Sequence, residues 1–388
     1  MIRLLVLVPK PTGLSPGQRF RLEQWAPMLA RRHGIHLDFV PFESPRLTRI
    51  LYEPGKRAQK AMYVALDMWR RRGVVRHSND YDGVVVHREG ALAGPALFER
   101  LIVKRGVPLF YDFDDAIWVS STRAHSNVST PNGIFSHLHF FGKTSTICKL
   151  ATAVTVGNEY LAEYARQYNP NVHIVPTSID LDTYAVQPEP PSSAVDDAFV
   201  IGWSGSTHTL HSLEVCRSAI ERFGKGRRVV LRVICNRPLA RPFANVENLF
   251  IPWREEGEAR EVGACHVGIM PLKTDEFSRG KCGLKALQFM ATGRPVVVTP
   301  VGVNTEIVQH GENGFIAGDD DAWVDALEKL SAAPDVRRTM GSAARRTVEQ
   351  GYSSEVVAAK FARAVRQGIG REPRPNAGSV DGARESRT

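Results

Sequence analysis

The sequence has few cysteines, no long apolar run and no nucleotide-cofactor signature. Its five cysteines form no C-x-x-C pair and are odd in number, which disfavours a disulfide framework or a zinc site and favours a reducing compartment, the cytoplasm. No stretch approaches about 18 consecutive apolar residues, so no membrane-spanning helix is predicted. The loop after the first predicted strand is not G-x-G-x-x-G, which removes the main support for hydride chemistry.

Positive charge is in moderate excess. The chain has 50 Lys and Arg against 41 Asp and Glu, a formal net charge of +9. Such an excess suits an anionic small molecule, a membrane surface or a nucleic acid, and does not choose among them. Nucleic-acid binding has the weakest support, because no motif interleaves aromatic and basic residues.

Short runs rich in β-branched residues alternate with helical stretches along the 388 residues. Runs such as Gly83–His87 and Pro295–Thr299 are typical of strands buried on both faces. Strands are predicted near 2–8, 35–41, 83–87, 108–112, 152–156, 172–176, 199–203, 229–234, 248–252, 266–270 and 295–299. The alternation predicts an α/β fold with two Rossmann-like, doubly wound parallel sheets.

A segment rich in Pro and Ser separates the two sets of strands. It predicts a linker at 187–196, between an N-terminal domain at 1–186 and a C-terminal domain at 197–350. A helix at 351–369 is expected to return to the N-terminal domain. The tail 370–388 has almost no large apolar residue and is expected to be disordered. The carboxyl ends of both sheets would face one central cleft, where ligands bind in such folds.

The stretch 268–317 is the most informative part of the sequence. A strand is predicted to end near residue 271 and a helix to begin near residue 284. The loop between them carries Arg279, Gly280, Lys281 and Gly283. Glycines let backbone amides approach a ligand, and the helix start and the two cations add positive charge. This predicts an anion site sized for a phosphate or diphosphate; the alternative is an ordinary loop with a solvated basic pair.

The same stretch resembles the C-terminal domain of glycosyltransferase family 4. The resemblance rests on F-M-A-T-G-R-P-V-V, V-G-V-N-T-E-I-V and G-E-N-G-F-I-A, which all lie within 289–317. Weaker matches are S-P-G-Q-R-F-R-L-E-Q-W, V-G-N-E-Y-L, P-T-S-I-D-L and I-G-W-S-G-S, and likeness covers most of 1–368. Members are retaining enzymes of the GT-B fold. The resemblance implies a nucleotide diphosphate sugar as donor, no resident cofactor, and a glycan or lipid-linked acceptor.

The sequence departs from the family pattern in the loop and helix. The family usually has Glu, seven residues and Glu, which contact the donor sugar and the ribose. The matching residues here are Gly280 and Gln288. Gln288 can still hydrogen-bond a ribose hydroxyl, whereas Gly280 offers only its backbone.

A second departure follows the strand near 199–203, where many members grip the diphosphate with Arg and Lys. The donor-binding candidates at this place are Gly205, Ser206, Thr207 and His208. We therefore expect Lys281, with Arg279, to supply the positive charge. Lys285, one turn into the helix, is either a second cation or a surface lysine.

The N-terminal domain supplies the other wall of the cleft. By the resemblance, the loop after the first strand touches acceptor or donor phosphate; the alternative is a simple turn. It carries Gly13, Gly17 and Arg19. The resemblance also places His87, at a strand end, near the donor sugar, the alternative being a satisfied surface histidine.

Aspartates follow the strand near 108–112. Asp112 and Asp114 resemble the metal-binding D-x-D motif of another glycosyltransferase fold. Because cations are available for the phosphates, no metal is predicted. Asp114 and Asp115 are expected to orient acceptor hydroxyls or to pair with Arg88, unless they form a plain turn.

The stretch 56–76 is predicted to be a basic amphipathic helix. Its apolar face consists of Ala58, Ala61, Met62, Ala65, Leu66 and Trp69. We expect this face to pack on its own domain; the alternative is contact with a membrane surface, which would place the protein at the inner face of the cell membrane.

The sequence thus predicts a glycosyltransferase in which Lys281 and Arg279 stabilise the leaving diphosphate and His87 faces the reacting sugar. One rival is a sugar-nucleotide-binding protein that has lost catalysis, since carboxylates are missing at 280 and 288. Another is a sugar-nucleotide epimerase or a phosphorylase of the same shape. For a phosphorylase, no pyridoxal-type lysine or phosphate site is identifiable.

Overall fold

A computed structural model of the chain describes residues 1–119, 142–188 and 198–370. The predicted linker from 189 onward and the predicted tail from 371 onward lie outside the described residues. Within the described residues, no helix has the combination of length and apolar character needed to cross a membrane.

Six parallel strands form the N-terminal sheet, in the order β2-β1-β3-β4-β5-β6. They are β1 Ile2–Val8, β2 Ile35–Pro41, β3 Gly83–His87, β4 Leu109–Phe113, β5 Ala153–Val156 and β6 Val172–Ile174. β3 and β4 are buried along their whole length. The continuous apolar runs therefore predict these central strands correctly.

Helices cover both faces of this sheet. They are α1 Pro16–Gln18, α2 Gln24–His33, α3 Pro45–Leu51, α4 Arg57–Arg76, α5 Leu97–Lys104, α6 Lys143–Leu150 and α7 Glu159–Arg166. A π-helical turn, Arg19–Glu23, joins α1 to α2. Ser44 caps α3 and Asn158 caps α7, because each side chain accepts a hydrogen bond from an amide of the first turn.

The C-terminal sheet also has six parallel strands, in the order β12-β11-β10-β7-β8-β9. They are β7 Phe199–Ser204, β8 Val229–Cys235, β9 Glu247–Pro252, β10 Val267–Met270, β11 Val296–Val298 and β12 Gly314–Ile316. The sequence does not predict β12, because its three residues lie in a Gly-rich motif that favours a turn. The two doubly wound parallel sheets are confirmed.

The helices of the C-terminal domain lie on both faces of its sheet. They are α8 Arg217–Phe223, α9 Glu258–Gly263, α10 Glu276–Arg279, α11 Leu284–Ala291, α12 Asn304–Ile307, α13 Asp320–Ala332 and α14 Pro334–Gly351. A 3-10 segment, Thr207–Cys216, follows β7.

The last helix of the described chain, α15 Ser354–Ile369, packs on the N-terminal domain rather than on the C-terminal one. Its buried Phe361 lies with its ring centroid 5.3 Å from that of Trp25 in α2. The crossing begins where Ser353 forms a parallel bridge with Ile179. The chain therefore passes twice between the domains.

Helix α4 is rotated relative to the prediction. Its buried residues are Lys60, Val64, Asp67, Arg71 and Val75, and all six residues of the predicted apolar face are exposed. The expectation that this face packs on its own domain is wrong. The reason lies at the ends of β1 and β2, where Arg71 donates to the carbonyl oxygens of Val40 (3.1 Å) and Val8 (3.3 Å). These backbone acceptors need donors, which an apolar face lacks.

Each sheet reverses its strand order beside its first strand, between β1 and β3 and between β7 and β10. Loops diverge at such a point and leave a crevice at the carboxyl ends of the strands. The predicted site residues follow β1, β3, β4, β7 and β10, so the fold collects them around the cleft between the domains.

Candidate active site

A buried carboxylate organises the N-terminal wall. Asp112, on β4, accepts hydrogen bonds from Arg21 (Nε at 3.0 Å and Nη2 at 2.6 Å) and from Thr155 Oγ1 (2.7 Å). The side chains of Arg21 and Asp112 have no exposed surface. Burial by itself raises the pKa of Asp112, but the Arg21 charge and the hydrogen bonds from His87 and Arg21 outweigh it. The pKa therefore lies well below its ordinary value.

His87 lies beside Asp112 in the register of β3 and β4 and is fully buried. Its Nδ1 is 2.8 Å from Asp112 Oδ2. Because a carboxylate accepts, Nδ1 carries a proton and donates to Asp112; in the neutral imidazole Nε2 is then the acceptor. Within the described residues, this buried Nε2 has no hydrogen-bond partner. His87 is therefore not a satisfied surface histidine.

The other two aspartates bind Arg88. Its Nε donates to Asp114 Oδ1 (2.9 Å) and its Nη2 to Asp115 Oδ2 (2.7 Å), which is the pairing offered as one of their roles. Arg88 has φ 61°, a strained value for this residue type, and such strain is often retained where it aims a side chain. The carboxylate oxygens of Asp112 are already occupied by hydrogen bonds from Arg21, His87 and Thr155. In the three described ranges, no group of three or more His, Cys, Asp or Glu is arranged to hold a metal.

The C-terminal wall touches this cluster through Lys281. Its ammonium lies 2.7 Å from Asp115 Oδ1, so a chain of charges runs from Arg88 through Asp115 to Lys281 across the domain boundary. The thiol of Cys282 donates to the carbonyl of Asp114 (3.1 Å). The 279–283 loop is therefore held against the end of β4.

Gly280 shows how closely this loop approaches the N-terminal domain. A Cβ added at Gly280 would lie 2.8 Å from both the Cβ and the backbone nitrogen of Ala116. The glutamate usual at this position in the family has no room here. The first departure from the family pattern therefore coincides with a tight contact between the domains.

Lys285 lies against the loop that follows β7. A Cβ on Gly205 would collide with Lys285 Cε at 2.7 Å, and the ammonium lies 5.4 Å from the centroid of the Trp203 ring. Burial, and then the charge of Lys281, lower the pKa of Lys285 to about 8. Lys285 is thus partly buried beside the turn after β7 and is not a fully exposed lysine, while its role as a second cation stays a prediction.

Other predicted residues also border the cleft. Gly205, Ser206 and Thr207 are half-buried at the turn after β7, and His208 is exposed. Gly13 has φ 82°, and its amide donates to Glu23 (3.0 Å). Any side chain at Gly17 would collide with Asp114 and Arg88. Gly283, with φ 74°, begins α11, whose first turn has no side-chain cap.

Three residues that were predicted to bind a ligand contact other protein side chains. Arg19 forms ion pairs with Glu258 and Glu255 of the C-terminal domain. Gln288 is buried and donates to Tyr184 Oη (2.8 Å). The exposed Arg279 has its guanidinium 4.6 Å from the centroid of the Tyr160 ring. Ligand roles for these three residues stay predictions.

Sequence reasoning missed the residues that position the site. Asn158 Nδ2 donates to the carbonyls of Lys281 (3.1 Å) and Arg279 (3.4 Å), and so holds the 279–283 loop. The V-G-N-E-Y-L motif was the available signal for it. Arg21 belongs to the S-P-G-Q-R-F-R-L-E-Q-W match, but its pairing with Asp112 could not be recognised because 91 residues separate them. Thr155 carried no local signal, because it lies 43 residues from Asp112 along the chain.

Residues 198–333 match the sequence model of the family described as Glycosyl transferases group 1. Over 319 residues the chain is 26% identical to the D-inositol 3-phosphate glycosyltransferase of Xylanimonas cellulosilytica, a match that covers 74% of this chain and 73% of that protein. Over 81 residues it is 33% identical to the N-acetyl-alpha-D-glucosaminyl L-malate synthase of Bacillus anthracis. That match covers 20% of this chain and 21% of the synthase, so the chain spans about a fifth of that relative's length.

Solved structures share the architecture. Sucrose-phosphate synthase from Thermosynechococcus elongatus has a TM-score of 0.64 at 16% identity, over 94% of this chain and 98% of that one. HepE of Anabaena, solved with UDP and glucose, has a TM-score of 0.63 at 16% identity, over 95% and 100%. These likenesses confirm the expected GT-B fold, and with the family match they confirm the resemblance to glycosyltransferases.

Replacing the buried carboxylate tests its structural role. Asp112→Asn leaves Arg21 buried without a counter-charge, so we expect a loss of about 3–5 kcal/mol in the free energy of unfolding. The control Asp38→Asn breaks the exposed pair with Arg3 and should cost about 1 kcal/mol or less. Urea denaturation measures both. An Asp112→Asn protein as stable as the control would contradict this role.

The same variant has a pH signature. The folded-state pKa of Asp112 is lowered, so its contribution to stability is present above the unfolded pKa of about 3.9 and is lost as pH falls below it. The wild type should therefore lose stability more steeply than Asp112→Asn below about pH 4.

Proposed function

We propose that the chain is a group 1 glycosyltransferase that transfers a sugar from a nucleotide diphosphate sugar to a glycan or lipid-linked acceptor with retention of configuration. The names of its relatives support sugar transfer. The UDP bound to HepE supports a nucleotide donor. Retention and the acceptor class follow from the resemblance to family 4.

One observation carries the proposal: two lysines, Lys281 before α11 and Lys285 in its first turn, bring positive charge to the start of this helix. Lys281 is close enough to Lys285 to lower its pKa, and the first amides of α11 add the positive end of the helix dipole. Like charges at such a place repel each other, and a dianion between them removes the repulsion. A diphosphate fits this requirement and lies at the switch point where α/β folds bind nucleotides.

Charge develops on the diphosphate as the glycosidic bond breaks. Lys281 and Lys285 then interact more strongly with the transition state than with the bound donor, which lowers the barrier. We place the second cation at Lys285 rather than at Arg279, because Lys285 adjoins Gly205 whereas Arg279 lies on Tyr160.

The N-terminal wall receives the reacting sugar and the acceptor. His87 Nε2 accepts a hydrogen bond from a donor-sugar hydroxyl, and Asp112 keeps the proton on Nδ1. Arg88 fixes Asp114 and Asp115, which orient the acceptor hydroxyl. For retention, the leaving diphosphate stays on the face that the acceptor approaches and helps to remove its proton.

Asp115 has a second task, because it binds Lys281 as well as Arg88. The carboxylate of Asp115 holds the ammonium of Lys281 in the cleft until the diphosphate also binds that ammonium. Arg88 keeps Asp115 compensated during that exchange.

The rival function, a sugar-nucleotide-binding protein without catalysis, rests on the carboxylates that are missing at 280 and 288. Gly280 packs closely on Ala116, so the glycine at this position allows the contact between the domains. That observation favours an adapted enzyme over a decayed one. For location, the five cysteines are free thiols, which fits the reducing cytoplasm that we propose.

A donor screen tests the function. We expect one of UDP-, GDP-, ADP- or TDP-sugars to stabilise the protein by about 2.7 kcal/mol at 100 times its dissociation constant, measured as a thermal shift. With that donor, slow hydrolysis or transfer should release the sugar with its anomeric configuration kept, as followed by proton NMR. A donor that binds and stays intact with every acceptor mixture would favour the binding protein. No stabilisation by any of them would overturn the proposal.

Removing either cleft cation tests the mechanism. Lys281→Ala should lower kcat about a hundredfold, the usual effect of losing one preorganised donor, and change KM much less. Lys281→Arg should recover only part of the lost kcat, since a planar guanidinium replaces a compact ammonium. Lys285→Ala should also lower kcat, whereas the exposed Lys273→Ala in the same connection serves as the neutral control. A folded Lys281→Ala enzyme with wild-type kcat would move the diphosphate to the Ser204–His208 turn.

A further inference from the structure

The outward face of α4 is apolar over about three turns. We call its exposed residues the α4 stripe: Ala58, Ala61, Met62, Ala65, Leu66 and Trp69. Trp69 is 78% exposed, and Met62 and Leu66 are each about half exposed. The other tryptophans of the described residues are buried or half-buried. A contiguous exposed apolar patch is typical of a binding surface.

The helix cannot rotate to bury this stripe. Its inward face is tied to the domain by Arg71, which donates to strand carbonyls, and by Asp67, which accepts from the amide of Ser44 (2.9 Å). Lys60 donates to the carbonyl of Glu53. Turning the stripe inward would leave these buried groups without partners, which is costly. The outward orientation is therefore built into the fold.

Basic residues surround the stripe. Residues 45–76 contain nine Lys and Arg but two Asp and Glu, so this segment carries +7 of the net +9 of the whole chain. Arg46, Arg49, Arg57, Arg72 and Arg76 are exposed. Asp67, one of the two acids, is buried. Lys60 and Arg71 are buried on the inward face, so it is the exposed arginines that place positive charge around the apolar stripe.

We propose that the α4 stripe and its arginines dock the N-terminal domain on an anionic lipid bilayer. An apolar face flanked by Arg and Lys binds such a surface by inserting apolar side chains at headgroup depth while the cations meet lipid phosphates. Tryptophan is enriched at this depth because its ring is amphipathic. A second copy of the chain is a poorer occupant, since two such surfaces would bring like charges together.

The docking surface reaches the rim of the cleft. Tyr52, at the end of α3, is about half exposed, and its ring centroid lies 4.4 Å from the ammonium of Lys10 in the loop after β1. That loop leads to Gly13 and Gly17 at the cleft wall. Tyr52 thus connects the basic segment 45–76 to the loop that leads to the cleft wall. The docking does not depend on the reaction proposed above.

Vesicle flotation with the full chain tests this inference. We expect binding to vesicles of phosphatidylcholine and phosphatidylglycerol, little binding to phosphatidylcholine alone, and release as salt is raised. Binding should shift the tryptophan emission to the blue. In Trp69→Phe, which keeps an apolar side chain, the protein should still float but the shift should be lost.

Two variants and their matched controls separate the contribution of the α4 stripe to vesicle binding from that of the arginines. Leu66→Ser with Trp69→Ser should lower the partition coefficient at least tenfold, and Arg72→Gln with Arg76→Gln by roughly 30-fold. The controls are Val336→Ser and Arg346→Gln with Arg363→Gln, which alter exposed residues of α14 and α15 and should bind as the wild type does.

Three results would overturn the proposal. One is no flotation with anionic vesicles. Another is flotation that the stripe and arginine variants leave unchanged. The third is a dimer in sedimentation velocity that Leu66→Ser with Trp69→Ser dissociates without changing vesicle binding, which would assign the stripe to a second copy.

Discussion

The ion pair between Lys281 and Asp115 joins the loop before α11 to the residues that follow β4, and so links the two domains. Other contacts hold the walls of the cleft together at the same place. Gly280 packs on Ala116 and Asn158 binds the loop carbonyls because the loop lies this close. The pair also places a cation beside Lys285, which creates the demand for a dianion that the proposed function meets.

The aspartates of the N-terminal wall have different partners and roles at two depths below the cleft. Asp112 is sealed among Arg21, His87 and Thr155, so it fixes geometry and has no capacity left for a ligand. Asp114 and Asp115 lie nearer the cleft and share Arg88. Buried, fully satisfied charges hold a site rigid, whereas partly exposed ones can exchange partners. This division fits a site that must stay open at one end to a charged substrate.

The sequence predicted what depends on local patterns. The apolar runs of β3 and β4 and the Gly-containing loop before α11 could be recognised because burial and turns leave their mark within a few residues. The orientation of α4 could not, because hydrophobic periodicity does not reveal that the ends of β1 and β2 require hydrogen-bond donors. Gln288 and Arg19 found partners in the other domain, at Tyr184 and Glu258. Only the docking of the two domains decides such pairs.

The central claim is that a diphosphate binds between Lys281 and Lys285, and its most direct test is the proton taken up on binding. The pKa of Lys285 is about 8 in the protein described here, and a bound dianion should raise it. Calorimetry with UDP at about pH 9, in buffers of different ionisation enthalpy, should therefore detect proton uptake, with affinity falling as pH rises above about 8. Lys285→Met should abolish that uptake. UDP binding without proton uptake at this pH, or with equal uptake in Lys285→Met, would contradict the account.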